Sequence, residues 1–310
     1  MDTSDILTEL CGIVFTKGHA TGNDFLLFDD PSGALDISPQ QVKALCDRRK
    51  GFGADGVIRV VRTAHSEMSS NDDRLNRLWL MDYRNADGSL AEMCGNGVRL
   101  FSHYLVTTHK VDPSLPFEVM TRAGVKTITA RGDAFYEVDM GAPVVPGQAS
   151  LGNESVTVTL PGIGEEHRGY CVDMPNPHTV VFLDDHTQLD AIIFPHTDPL
   201  LAPPALRPTQ QPAAVNGTNY EAIVVNKEKA IIDMRVCERG VGETLSCGTG
   251  CCAVGVAASF TYGQPHIPWT VRVPGGELTI DTSRDTVFMT GPATLVGTCF
   301  IPIPGVDSPA

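Results

Sequence analysis

Two stretches decide the fold: Glu92-Met93-Cys94-Gly95-Asn96-Gly97-Val98-Arg99 and Leu245-Ser246-Cys247-Gly248-Thr249-Gly250-Cys251-Cys252. Each is a cysteine followed by Gly-polar-Gly, and each runs into an apolar stretch that reads as a helix. After Cys94, Val98, Phe101 and Leu105 recur at helical spacing, with Leu100 and Tyr104 broadening the stripe. After Cys247 the residues are small and apolar all round, from Cys251 to Ala258, which predicts a helix buried on every side. The two cysteines lie 153 positions apart in a chain of 310. Strands precede each motif and resume after it, so the chain reads as an internal duplication of two α+β halves, each of strands wrapped around a central helix.

Working outward, Ile13-Val14-Phe15 and Leu26-Leu27-Phe28 read as strands flanking the polar loop Gly18–Phe25. Ser38 caps a helix that Pro39 begins and that Val42, Leu45 and Cys46 pack inward. Strands are expected at 57–61, 78–83, 117–121, 125–130, 135–140, 155–160, 168–173, 179–183, 220–225 and 230–236, with a hairpin over 271–280. Residues 63–76 read as an exposed loop. Residues 195–218, with six prolines, read as a surface loop or insertion. The best boundary is Met140-Gly141-Ala142-Pro143. It gives an N-terminal half, 1–141, carrying Cys94, and a C-terminal half, 142–293, carrying Cys247, with a last strand at about 294–310 expected to return to the first half.

Composition narrows the function. A net charge of -14 with no Lys/Arg patch argues against nucleic acid or an anionic membrane as partner. The start, Met1 to Asp5, is acidic and lacks the basic and apolar regions of a signal peptide. Nine scattered cysteines, an odd number, fit a reducing, cytoplasmic compartment with free thiols.

The glycines of the two motifs let the chain turn sharply into the helix and uncover its first N–H groups. Those groups and the helix dipole favour an anion such as a carboxylate, and they favour thiolate over thiol. Two such motifs suit one carboxylate held between two helix ends, with a sulfur on each side of its α-carbon. That is the arrangement a two-base racemase or epimerase needs, with one cysteine as thiolate and the other as thiol. The N–H groups would stabilise charge that develops on the carboxylate. Against it stand three other readings: two structural cysteines, a metal cluster of Cys247, Cys251 and Cys252, and a redox pair formed by Cys94 and Cys247.

Asn85-Ala86-Asp87-Gly88-Ser89 before Cys94-Gly95-Asn96-Gly97-Val98-Arg99, with Glu238-Arg239-Gly240-Val241-Gly242-Glu243-Thr244 before Cys247-Gly248-Thr249-Gly250, closely resembles the diaminopimelate epimerase family. The resemblance runs from Gly22-Asn23-Asp24-Phe25 to Gly291-Pro292-Ala293. It implies two pseudo-symmetric halves with the active site in the cleft between them. It also implies a cofactor-independent isomerase that interconverts LL- and meso-2,6-diaminopimelate in lysine and peptidoglycan biosynthesis. Carried over by position, Cys94 and Cys247 are the acid/base pair. Gly95, Asn96, Gly248 and Thr249 offer N–H groups to the reacting carboxylate, Glu238 binds the reacting α-ammonium, and Arg239 partners the distal carboxylate. Asn23, Asn85, Asn176 and Asn219 line the pocket, and His178 supports the site. The resemblance implies no metal and no cofactor, a small-molecule substrate as the partner, and leaves room for a homodimer.

Three departures stand out: Gly56 where many members have glutamine, Pro175 where glycine is usual, and the length of the 195–218 stretch. The nearest rivals are a proline racemase or hydroxyproline epimerase of similar fold, which lack the Glu-Arg pair and the asparagine set. A thiol-based redox sensor or binding protein is the rival from a different class.

Overall fold

A computed structural model describes residues 6–145, 155–174, 176–263 and 267–302. Met1 to Asp5, Pro175 and the end of the chain beyond 302, on which some of the expectations above rest, lie outside the described residues. The chain divides into two compact units, Met1–Val138 with Pro292–Ala310, and Asp139–Gly291.

In the first unit, β1 (Val14–Ala20) and β2 (Asn23–Asp29) form an antiparallel pair. Helix α1 (Pro39–Cys46) carries the chain over to β3 (Gly56–Arg62), which lies parallel to β2. β3 is followed by a short helix, α2 (Asp73–Asn76), and by β4 (Trp79–Asn85), antiparallel to β3. Helix α3 (Gly95–Thr107) then crosses over to β5 (Phe117–Thr121), parallel to β4. β6 (Gly124–Ala130) and β7 (Phe135–Asp139) complete an antiparallel meander. The strand Thr294–Phe300, from the far end of the chain, pairs antiparallel with β1.

The second unit repeats this plan. β8 (Ser155–Thr159), β9 (Glu166–Asp173) and β10 (Pro177–Phe182) are successively antiparallel. Helix α4 (His186–Ala191) precedes β11 (Thr209–Gln211) and β12 (Asn219–Asn226), the latter parallel to β10. β13 (Ile231–Glu238) is antiparallel to β12, and β14 (Gly242–Thr244) folds back on it. Helix α5 (Gly248–Tyr262) crosses over to β15 (Trp269–Val273), parallel to β13. β16 (Gly276–Asp281) and β17 (Phe288–Pro292) follow in antiparallel order. Apart from the short β11 and β14, the described strands of each unit thus form a triplet, a pair and a triplet joined by two parallel steps, with a helix at each step.

α3 contacts β1, β2, β3, β4 and the strand Thr294–Phe300, while α5 contacts β9, β10, β12, β13, β15 and β16. A helix touched by that many strands cannot keep a polar face. Accordingly α5 is buried without interruption from Gly250 to Ser259 and emerges only at Phe260–Tyr262. The sheets bury both faces in places: Phe25, Leu26, Leu27 and Phe28 are all closed to solvent, the continuous apolar run of a strand covered on both sides. One covering layer is α1, whose Val42 and Leu45 pack with Phe15, Leu26, Phe28 and Val57. Its counterpart is α4, where Leu189 and Ile192 pack with Val156, Val158, Val181 and Ala222.

Two expectations need correction. Residues 63–76 hold a 3-10 turn, Thr63–His65, and the helix α2, whose first turn is capped by the Asp72 carboxylate accepting from Arg74 N–H. The 195–218 stretch holds a 3-10 turn, Pro204–Leu206, and the strand β11, which pairs with β8. Its polar residues give β11 no alternation to read, and backbone pairing alone makes it a strand. No helix among the described residues is long and apolar enough to cross a membrane.

Candidate active site

Cys94 is the N-cap of α3 and Cys247 the N-cap of α5, both with extended backbone. Each Sγ accepts from the third helical N–H, Gly97 N and Gly250 N, at 3.4 Å in both cases. The helical ladder starts one residue later, with Val98 N–H to Cys94 O and Cys251 N–H to Cys247 O. The N–H groups of Gly95 and Asn96, and of Gly248 and Thr249, thus come ahead of the ladder, where a helix end attracts anions.

In the first unit, Asn23 opens β2 and its side chain reaches the cysteine. Cys94 Sγ lies 3.6 Å from Asn23 Oδ1, and Asn96 Nδ2 lies 3.3 Å from the same oxygen. Asn23 Nδ2 donates to Asp55 at 2.8 Å. Asp55 also accepts from Asp24 N–H and from Arg48. Burial alone would push the Asp24 carboxyl up, but hydrogen bonds from Arg48 and Lys17 outweigh it and hold Asp24 well below the usual carboxylate range. Below the helix end lies Arg99, wholly buried, donating to Asn96 Oδ1 at 2.9 Å, Thr21 Oγ1 at 3.2 Å and Gly95 O at 3.3 Å. A buried guanidinium one turn under Cys94 adds to the positive field of the helix end.

Asn85 is held apart from this cluster by its own partners, Tyr83 Oη at 2.7 Å and Ser89 Oγ at 3.0 Å. It joins the loop through its neighbour, since Ala86 N–H donates to Asp55 O. Gly56 stands opposite Asn85 in the β3–β4 ladder. A Cβ at Gly56 would come within 2.5 Å of both Arg84 O and Tyr83 Cε2. The departure from glutamine there has a local cause: the Tyr83 ring fills the space and its hydroxyl takes the Asn85 carbonyl.

In the second unit, Cys247 Sγ is 3.5 Å from Thr249 Oγ1. Burial pushes the Cys247 thiol well above the usual range, Glu238 and Glu221 push it further, and Thr249 and Gly250 oppose them. Glu238 ends β13 and accepts from Thr244 Oγ1. Arg239 N–H donates to Asn219 Oδ1 at 2.9 Å, and Asn219 Nδ2 donates to Pro177 O at 2.9 Å. The Arg239 side chain is exposed, with one N–H on Asn216 O. Asn176 Oδ1 lies 3.1 Å from His178 Nε2. His178 Nδ1 lies 2.6 Å from Glu221, a carboxylate with no exposed surface.

Asn23, Cys94 and Asn96 are thus in mutual contact in one unit, and Asn176 with His178, Asn219 with Arg239, and Cys247 with Thr249 in the other. Sequence reasoning missed Asp55, Arg99 and Glu221. Arg99 sat in a quoted motif without a role, Asp55 stood in a glycine-rich loop beside Gly56, and Glu221 was hidden in an apolar strand. Of the remaining thiols, Cys46, Cys237, Cys251 and Cys252 are core residues, and burial pushes Cys46 and Cys237 up to about 12. None of the nine cysteines, all among the described residues, is joined in a disulfide. Among the described residues no group of three or more His, Cys, Asp or Glu side chains is placed to hold a metal ion.

The diaminopimelate epimerase family model matches residues 15–146 and 170–296. The chain is 44% identical over 294 residues to the diaminopimelate epimerase of Streptomyces coelicolor, covering 92% of this chain and 93% of that one. The chain belongs to the diaminopimelate epimerase family. The enzyme of the same name from Corynebacterium glutamicum is 43% identical over 290 residues, 92% of this chain and 96% of that one. Among solved structures, a phenazine biosynthesis protein of the PhzF family from Bacillus anthracis superposes with a TM-score of 0.64 at 16% identity, covering 93% of this chain and 98% of that one. A hydroxyproline epimerase from Agrobacterium vitis gives 0.57 at 16% identity, covering 93% and 91%. At such identities these two likenesses speak to the fold alone.

Proposed function

We propose that the chain interconverts LL- and meso-2,6-diaminopimelate by a cofactor-independent two-base mechanism, in the biosynthesis of lysine and peptidoglycan. The observation that carries this reading is the repetition of one device. Among the described residues the longest helix of each unit begins at a cysteine whose sulfur caps it, at the same step of the same strand plan.

The reaction needs one proton removed and one delivered on opposite faces of the α-carbon. The reacting carboxylate accepts from the N–H groups of Gly95, Asn96, Gly248 and Thr249. Glu238 takes the α-ammonium and Arg239 the distal carboxylate. Asn23, Asn85, Asn176 and Asn219 supply the neutral contacts, with His178 behind Asn176. One cysteine, as thiolate, takes the α-proton and becomes the thiol. The other gives its S–H proton to the opposite face and becomes the thiolate. Charge building up on the carboxylate is met by two helix ends and by Arg99 beneath one of them. Burial and Glu238 favour the protonated form of Cys247, which suits it to be the resting acid.

The net charge of -14 and nine cysteines without a disulfide support a cytoplasmic enzyme whose partner is a small molecule. The test is proton exchange. In deuterated water the protein should introduce deuterium at one α-carbon of LL- and of meso-diaminopimelate while interconverting them. If neither isomer gains deuterium, the reading fails.

A further inference from the structure

β10 and β12 run side by side with His178 opposite Asn219 and Val180 opposite Glu221. His178 and Glu221 therefore project from the same face of the sheet. They meet at 2.6 Å with no solvent exposure of either side chain. Glu221 also lies against the first turn of α5: a Cβ at Gly250 would come within 2.8 Å of its Oε1. Its other oxygen, Oε2, is buried without a hydrogen-bond partner among the described residues. A wholly buried carboxylate costs free energy unless it is paired, so its retention calls for a partner of opposite charge.

The ring of His178 faces oxygen at both ends, Glu221 Oε1 at Nδ1 and Asn176 Oδ1 at Nε2. A neutral imidazole has one donor and one acceptor, and would set a lone pair against one of these oxygens. With the Asn176 amide in this orientation, a ring protonated at both nitrogens satisfies both. We propose that Glu221 is a positioning residue for the Cys247 half of the site: it holds His178 as the doubly protonated cation. Nε2–H then donates to Asn176 Oδ1 and turns the Asn176 Nδ2 amide away from the ring, as a donor for substrate carboxylate. The line Glu221–His178–Asn176 thus sets the orientation of one pocket amide from a charge buried in the sheet. The last step rests on the substrate reading of Asn176 given above; the state of His178 does not.

The test uses the full chain with 15N-labelled histidine. In the wild-type spectrum at neutral pH His178 should show N–H signals from both ring nitrogens. In Glu221→Gln it should show one. The same variant should raise KM for diaminopimelate roughly tenfold, the loss of about one hydrogen bond that depends on a charged group, with a smaller change in kcat. A role in packing alone would lower stability and leave the ring protonation unchanged. One ring N–H signal in the wild type, or two in Glu221→Gln, overturns the proposal. Should Glu221→Gln fail to fold, the wild-type spectrum decides by itself. Because the spectrum needs no substrate, it separates failure of this proposal from failure of the epimerase reading.

Discussion

Asn23 gives its amide nitrogen to Asp55 at 2.8 Å and therefore keeps its carbonyl oxygen for Cys94, 3.6 Å from the sulfur. The carboxylate accepts only, so it dictates which end of the amide meets the thiol. Asp55→Asn removes that dictate, since an amide at 55 can pair with either orientation of Asn23. The variant should lose activity by an amount on the order of 10²-fold, the usual cost of a small misplacement at a reacting group. Its thermal stability should change little. Steady-state kinetics beside a melting curve would separate the two, and an unaltered kcat/KM would remove Asp55 from the site.

Cys94→Ala and Cys247→Ala should each reduce epimerisation by at least roughly 10²–10⁴-fold, the range of a single general acid or base. Both proteins should fold, because alanine leaves each helix with its ladder and the lost Sγ contacts, to one N–H group and to Asn23 or Thr249, are weak ones. Isomer ratios followed by chiral chromatography, with circular dichroism as the folding control, test this.

The Cys247 thiol should resist alkylation at neutral pH. Burial, then Glu238 and Glu221, raise its proton affinity, so thiolate accumulates only as pH climbs above the range of a free cysteine, about 8.5. The rate of iodoacetamide labelling, resolved by peptide, should keep rising beyond that pH. Glu238→Gln should move the curve to lower pH. A labelling rate already at its plateau near pH 7 would contradict the assignment of Cys247 as the resting acid.

Asp24 makes acid stability testable. Its carboxyl titrates below that of an unfolded aspartate, near about 3.9, because Arg48 and Lys17 favour the charged form over the opposing effect of burial. The native state therefore holds fewer protons at this residue than the unfolded chain does. Its contribution is full above the unfolded value and is lost as pH falls below it. Urea midpoints measured from pH 7 down to pH 3 should fall, and Asp24→Asn should start lower and lose less.

Gly97 and Gly250 occupy equivalent turns but should not tolerate alanine equally. A Cβ at Gly97 meets only ordinary contacts, the nearest outside its own turn being Ile58 Cδ1 at 3.6 Å. Gly97→Ala should leave stability unchanged or improve it by up to about 1 kcal/mol through helix propensity. A Cβ at Gly250 runs into Glu221, which is pinned by His178 and cannot swing aside, so Gly250→Ala should cost about 1–3 kcal/mol. Denaturant titration of both variants tests this.

Most of the fold was legible because its strands are apolar runs and its two long helices begin at an unusual repeated motif. What escaped lacked a local signal. β11 is Thr209-Gln210-Gln211, a polar segment made a strand only by pairing with β8. α2 is four residues long, too short to show a period. The cysteines and asparagines of the candidate site could be nominated by motif because each stands in a recognisable phrase of sequence. Glu221 stands between Tyr220 and Ala222 in a strand and meets His178 from 43 positions away. Its role is a tertiary fact, set by the register of two parallel strands. Gly250 shows the same limit: its motif suggested exposed N–H groups, whereas its missing side chain is required by that carboxylate.

The strand Thr294–Phe300 has a bearing on how the chain is made. It completes the triplet of the first unit from the opposite end of the sequence, pairing with β1. As the chain leaves the ribosome, β1 waits with an open edge until nearly every other residue has been synthesised, while the second unit is continuous and has all of its strands earlier. The first cysteine to be translated therefore sits in the half that is finished last. An unpaired edge invites association with other chains, so the interval before the last strand arrives is when the nascent protein is most exposed to aggregation.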